Sequence, residues 1–150
     1  MFVTYPPQKS GWVPIASDGA ARGAAAVAQL KALGVPAGAT VWTDLEGCKG
    51  PAGPTIAWCN AAFAPIAAAG WQAGLYCGVP LGGLTATDLY HLKCSAYWRS
   101  CSRGVPEPAE VGFCCAQEYR PNVSAFGTVV DFDRAFEDFA NRLPTMIVHA

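Results

Sequence analysis

The sequence predicts an α/β fold built on a parallel sheet, and three observations carry that expectation. Short apolar runs bounded by glycine and proline alternate with alanine-rich stretches of helical spacing, and strands separated by helices pair in parallel through right-handed crossovers. The 150 residues are 52% hydrophobic and 14% charged, which suits one core in one ordinary domain, so residues 1–150 read as a single unit. One apolar run, Val41 to Gly47, ends in two acids before a Gly/Pro-rich loop, as a parallel strand does at the rim where α/β proteins assemble their sites.

The elements follow in order. Trp12 to Ala16 reads as a short strand, and Ser17-Asp18 as the N-cap of a helix running to about Leu33. Val27, Leu30 and Leu33 mark its apolar face, Ala20, Ala24 and Ala28 permit close packing beside it, and Gly34 is the stop signal. Ala39 to Glu46 is the second strand. The loop Gly47 to Pro54 leads into a helix with Ile56, Cys59, Phe63 and Ile66 on one face, kinked at Pro65 and ended by Gly70. Gly74 to Gly78 is strand three, Thr85 to Leu92 a shorter helix, and Ser95 to Arg99 strand four. After a proline-rich connection at Val105 to Pro108, Gly112 to Tyr119 reads as strand five and Thr128 to Phe132 as strand six. A closing helix then places Phe132, Phe136, Phe139 and Leu143 in a core-packing stripe.

Charge and composition exclude several function classes. A net charge of −1 with no long basic or acidic run gives neither nucleic acid nor an anionic membrane surface a partner, so an uncharged substrate fits better. The most apolar window, Ile56 to Gly70, holds Asn60 and Pro65 and is too short for a membrane span, which needs roughly 20 residues. MFVTYPPQKS lacks a basic segment followed by an apolar core, so no conventional signal peptide is expected. Seven cysteines (48, 59, 77, 94, 101, 114 and 115) contain no C-x-x-C, and His91 with Cys94 has no second ligand pair nearby, so no metal or other cofactor is expected. Cys94 and Cys101 fit either a disulfide or two small apolar residues, and the sequence leaves both readings open.

Chemistry concentrates on Asp44 and Glu46. Strand alternation puts Trp42, Asp44 and Glu46 on one face and Val41, Thr43 and Leu45 on the other, so the two acids converge. Carboxylates cost free energy without water or a partner, which places them at a strand mouth rather than in mid-core. Paired acids there suit acid/base work, with glycoside hydrolysis first among the options because it needs little besides two carboxyl groups. The plainer reading, a helix N-cap or an exposed loop acid, stays open at this level.

Five stretches in order, DGAARGAAAVAQLKALGVPAGATVWTDLEG, GWQAGLYCG, SAYWRS, AQEY and GTVVDFDRAF, cover about residues 11–137. Together they resemble the second part of the glycoside hydrolase family 25 lysozyme barrel and, more closely, the related domain of unknown function 1906. The resemblance implies a parallel (β/α) TIM-barrel-like fold, shortened or incomplete, with about six strands. By position Asp44 and Glu46 match the family's Asp-x-Glu and Asp131 the acid on its last strand. It then implies Glu46 as general acid, with Asp44 and Asp131 stabilising an oxocarbenium-like transition state or orienting water or the acetamido group. Tyr76, Trp98, Gln117 and Tyr119 would stack on and hydrogen-bond the sugar, although Tyr76 and Trp98 read equally well as plain core. Asp133 shares a strand face with Asp131 if strand six continues, but is expected instead to cap the final helix. Two departures are visible. The chain begins near the family's third strand, without its first acid, and Glu118 stands between the expected Gln and Tyr.

The implied activity is a peptidoglycan-directed, lysozyme-like glycosidase acting at the cell envelope or outside the cell. The alternative is an inactive cell-wall-binding or virion module on the same fold. A partner chain or self-association would cover the open sheet edges of so short a barrel. A serine or thiol hydrolase lacks a G-x-S-x-G elbow, with His91 and His149 the only imidazoles and Cys77 in need of a base. Neither Gly47 to Pro54 nor Val79 to Gly83 has a phosphate-loop pattern.

Overall fold

The computed structural model describes residues 2–4, 11–106, 114–137, 141 and 143–145. Among these described residues six strands form one sheet in chain order: β1 (Phe2–Thr4), β2 (Thr40–Leu45), β3 (Gln72–Cys77), β4 (Ala96–Arg99), β5 (Cys114–Ala125) and β6 (Thr128–Ala135). β1 to β5 are parallel neighbours and curl into a half-barrel, with helices α1 (Ala16–Ala32) and α2 (Ala52–Ala68) in the first two crossovers. A 3-10 turn, Thr87–His91, stands in the third, where the spacing predicts a helix.

The expected all-parallel sheet is corrected at its last strand, because β6 runs antiparallel to β5. Ala125 pairs with Thr128 across Phe126 and Gly127, whose φ of 52° and 77° give the two-residue turn that matches strand twist. The closing helix is corrected with it. Thr128–Ala135 is strand, Phe136 and Leu143 are exposed, and Phe139 lies outside the described residues. Valine-rich, alternating TVVDFDRA prefers a pleated backbone, and the four-residue spacing of the aromatics is incidental. Asp133 therefore sits within β6 and caps no helix.

Nor do Trp12 to Ala16 form the expected strand. Pro14 removes a ladder donor, Trp12 makes only an isolated bridge to Cys48, and extended Ile15 occupies the N-cap in place of Ser17-Asp18. Asp18 instead lies in the first turn, where the helix dipole favours an acid. The short N-terminal run does supply β1, which pairs along β2.

The main core lies between the helices and the sheet face made by Val41, Leu45, Leu75, Cys77 and Tyr97, with Trp58, Phe63 and Ile66 of α2 packed over it. The α1 contact face is smaller than its apolar residues suggest. Gly19, Gly23, Ala26 and Leu30 are buried, whereas Leu33 is 70% exposed and Ala20, Ala24 and Ala28 face outward. A side chain at Gly19 would strike the Trp58 carbonyl, and one at Gly23 the Ala62 carbonyl, so the two helices meet almost backbone to backbone. Cys94 and Cys101 are not joined in a disulfide. No helix among the described residues is long and apolar enough to cross a membrane.

Candidate active site

The sheet face opposite the main core carries the polar chemistry. Trp42 registers with Gly74 and Asp44 with Tyr76, Tyr76 with Trp98, and Trp98 with Ala116. Two residues further along β5, Glu118 returns to that face and pairs across the hairpin with Asp133. The C-terminal halves of β2, β3 and β4 thus meet Glu118 of β5 and Asp133 of β6 on one face.

Aromatic rings brace the acids. The Trp98 ring lies edge-on to Trp42, with centroids 5.7 Å apart, and to Tyr76 at 4.9 Å. Its Nε1 donates to Asp133 Oδ1 at 2.7 Å, and Tyr76 Oη donates to Glu118 Oε2 at 3.2 Å. Cys101 Sγ donates to the other Glu118 oxygen at 3.3 Å, so this buried carboxylate has a donor at each end. Asp44 differs. Its Oδ1 is buried with no hydrogen-bond partner.

That contrast sets the electrostatics. Burial, and then the negative charge of Glu46, push Asp44 from its ordinary 3.8 up to about 6. Burial followed by the charges of Glu118, Glu46 and Asp44 hold the Tyr76 hydroxyl well above its usual range, so it remains an O–H donor. Asp133 is raised by shielding of its carboxyl end, with the Trp98 bond opposing and the Glu118 and Asp131 charges adding. The Cys101 thiol is raised as well, by shielding and then by its bond to Glu118. Burial lifts Cys48 to about 11 and holds Cys59 well above the ordinary thiol range, the condition of unreactive packing cysteines.

Of the residues singled out in the sequence, Asp44, Glu46, Tyr76, Trp98 and Asp133 meet around this face. Glu46 is exposed just beyond β2, its carbonyl accepting the Trp12 indole N–H at 3.2 Å. Asp131 lies further out on the hairpin, exposed, accepting the Asn122 amide at 2.7 Å across a register shift. Gln117 points the other way and ties β4 to β5. Its Nε2 donates to the Arg99 and Ser100 carbonyls at 3.3 and 3.2 Å, and its Oε1 accepts from Arg99 Nη1 at 3.2 Å. Tyr119 is also off this face, packed on Phe132 with the Arg134 guanidinium 5.2 Å above its ring.

Sequence reasoning placed Trp42 on this face beside the two acids but missed Glu118 as a member of the group. Alternation held the signal for Glu118, since Gln117 and Glu118 must point to opposite faces and only one can reach Tyr76. Among the described residues no cluster of His, Cys, Asp and Glu has a metal-holding arrangement.

Comparison with known proteins places the chain by family. The model described as "Rv2525c-like, glycoside hydrolase-like domain" matches residues 1–105, well over half of the chain and including Asp44, Glu46, Tyr76 and Trp98. A crystal structure of an uncharacterized B. stearothermophilus protein shares the fold, with a TM-score of 0.65 at 15% identity, over 89% of this chain and 68% of that one. No curated protein matches this chain in sequence.

Proposed function

This chain belongs to the Rv2525c-like, glycoside hydrolase-like domain family, and from that premise we propose that it is a peptidoglycan-directed glycoside hydrolase working through carboxyl groups at the rim of an incomplete (β/α) barrel. The observation that carries the reading is a carboxyl pair on one strand face whose members have unlike surroundings. Asp44 is shielded, its Oδ1 has no hydrogen-bond partner and burial raises its carboxyl to about 6, and Glu46 stands at the exposed rim. Glycoside cleavage asks for such a split, one group to protonate the leaving oxygen and another to meet the developing positive charge or activate water.

Asp44 is the proton donor in this scheme and Glu46 the charged partner, the reverse of the sequence-based assignment. The exchange follows from burial, since the shielded member of an acid pair is the one that keeps its proton. Asp133 and Asp131 extend the acidic row and orient water or the acetamido group, while Tyr76 and Trp98 give the sugar an aromatic wall. Gln117 acts through the β4–β5 geometry and Tyr119 through its packing on β6. A partner chain or second copy along the β1 and β6 edges belongs to the same proposal, because unpaired strand edges need cover. So does a place at the cell envelope, where the substrate lies.

Release of new reducing ends from purified cell wall tests the activity. Asp44→Asn and Glu46→Gln should each lower it by about 10²–10⁴-fold. Full activity in both variants, or none in the unmodified protein, overturns the proposal. The second reading, a module that binds glycan without cleaving it, is favoured by Asp131, whose carboxylate is engaged with the hairpin backbone. It predicts binding of soluble muropeptides with no turnover.

A further inference from the structure

On the acid-bearing face β3 and the residue after it read Gly74, Tyr76, Gly78, beside Trp42, Asp44, Glu46 of β2 and its end. Large groups on one strand face gaps on the next. The Gly78 amide donates to the Leu45 carbonyl at 3.2 Å, continuing the ladder one step past the Leu45–Cys77 pair and bringing Gly78 beside Glu46. A Cβ on Gly78 would lie 2.6 Å from Glu46 Cδ, 2.7 Å from Oε1 and 2.8 Å from Cγ. Gly78 is buried and its φ is not in the left-handed region, so backbone freedom does not account for the glycine. The empty space does.

We infer that Gly78 is a positioning residue: the space left by its missing side chain is the seat in which the Glu46 carboxyl lies, held over the face that carries Asp44 and Tyr76. Gly74 shows the contrast. A Cβ there would lie 2.6 and 2.8 Å from Cε3 and Cζ3 of Trp42, a rigid ring only 1% exposed that has nowhere to go. At Gly78 the colliding group is the end of a flexible, exposed side chain, which swings away at little cost to the fold. Substitution at Gly74 therefore strains the core, whereas substitution at Gly78 unseats an acid.

The catalytic meaning of the seat rests on the proposed glycosidase activity, but the seat is testable without it. Glu46 is one of the causes that raise Asp44, so the Asp44 carboxyl reports where Glu46 sits. The experiment is a carbon-13 NMR titration of Asp44 in the full chain, as Gly78→Ala, Glu46→Ala and the double variant, with thermal melting alongside. Gly78→Ala should lower the Asp44 midpoint toward that of Glu46→Ala, keep the melting temperature near that of the unmodified protein, and add nothing in the Glu46→Ala background. Three results overturn the inference: a Gly78→Ala midpoint that stays put while Glu46→Ala lowers it, an equal shift with and without the Glu46 side chain, or no shift in Glu46→Ala itself. Should Gly78→Ala fail to fold alone, folding restored in the double variant supports the seat and continued failure overturns it. Cell-wall cleavage is read in parallel, where displacing the acid by roughly 1 Å should cost about 10²-fold. Undiminished cleavage in Asp44→Asn and Glu46→Ala would end the glycosidase reading and leave the titration to decide the seat.

Discussion

The two faces of the β2–β3 ladder are made by the same twelve residues, yet they do opposite work. Toward the helices, Val41, Thr43, Leu45, Ala73, Leu75 and Cys77 are all buried, and what holds them is apolar area removed from water. Toward the acids, Trp42 and Gly74 interlock, and beyond them Asp44 carries a buried oxygen with no donor beside Tyr76, whose hydroxyl is bonded to a second buried carboxylate. The first face stores stability. The second spends part of it to hold acids close together, a trade expected where chemistry rather than packing decides the residues.

Three substitutions sharpen that contrast. The largest effect belongs to the helix side: Phe63→Ala, which empties a ring only 1% exposed, should cost about 3–5 kcal/mol in urea unfolding and leave the Asp44 titration midpoint unchanged. A moved midpoint would mean that the two faces are not independent. Tyr76→Phe comes next. It removes the donor to Glu118 Oε2 and leaves a buried oxygen unmet, so about 1–3 kcal/mol should be lost; a variant as stable as the unmodified protein would show that water or another group takes the place of the hydroxyl.

The smallest effect has the opposite sign. The folded-state midpoint of Asp44, about 6, lies above its ordinary 3.8, so the fold binds this proton more tightly than the unfolded chain does. The associated stability is complete below about pH 4 and is lost as pH rises through about 6. Asp44→Asn removes that dependence and should stabilise the protein at pH 8 by about 1 kcal/mol, a figure kept small because solvent reaches part of the carboxyl and screens it. Unfolding midpoints at pH 4 and pH 8 check it. A variant less stable than the unmodified protein at pH 8 would contradict the sign.

Much of the helix side was legible in the sequence because burial leaves a periodic trace. Strands at 39–46, 74–78 and 95–99 were expected, and β2, β3 and β4 form within two residues of those limits; the α2 stripe of Cys59, Phe63 and Ile66 is buried as its spacing predicts. Gly34, with φ of 67°, follows the end of α1 as a C-terminal stop should. The α1–α2 contact was misjudged because backbones meet there at Gly19 and Gly23, and glycine leaves no hydrophobic trace. Strand six was expected at Thr128 to Phe132 and forms there, but its continuation to Ala135 was lost to a coincidence of aromatic spacing, and its antiparallel direction is marked only by the Phe126-Gly127 turn, an unusual hairpin pair.

On the acid side, Asp44, Glu46, Tyr76 and Trp98 were visible through alternation and resemblance. Roles were harder to read. Which acid keeps its proton depends on what surrounds each carboxyl, and that follows from the fold rather than from the order Asp-x-Glu. Glu118 was visible as a letter but not as a neighbour of Tyr76, because 42 positions of chain separate the two.

The most direct test of the central claim, that shielded Asp44 supplies the proton for glycoside cleavage, is the rate of reducing-end release from purified cell wall as a function of pH. The account predicts a rate that falls as pH rises through about 6, and loss of that limb with the activity in Asp44→Asn. A rate indifferent to pH across this range, or an Asp44→Asn variant with the same falling limb, would contradict it.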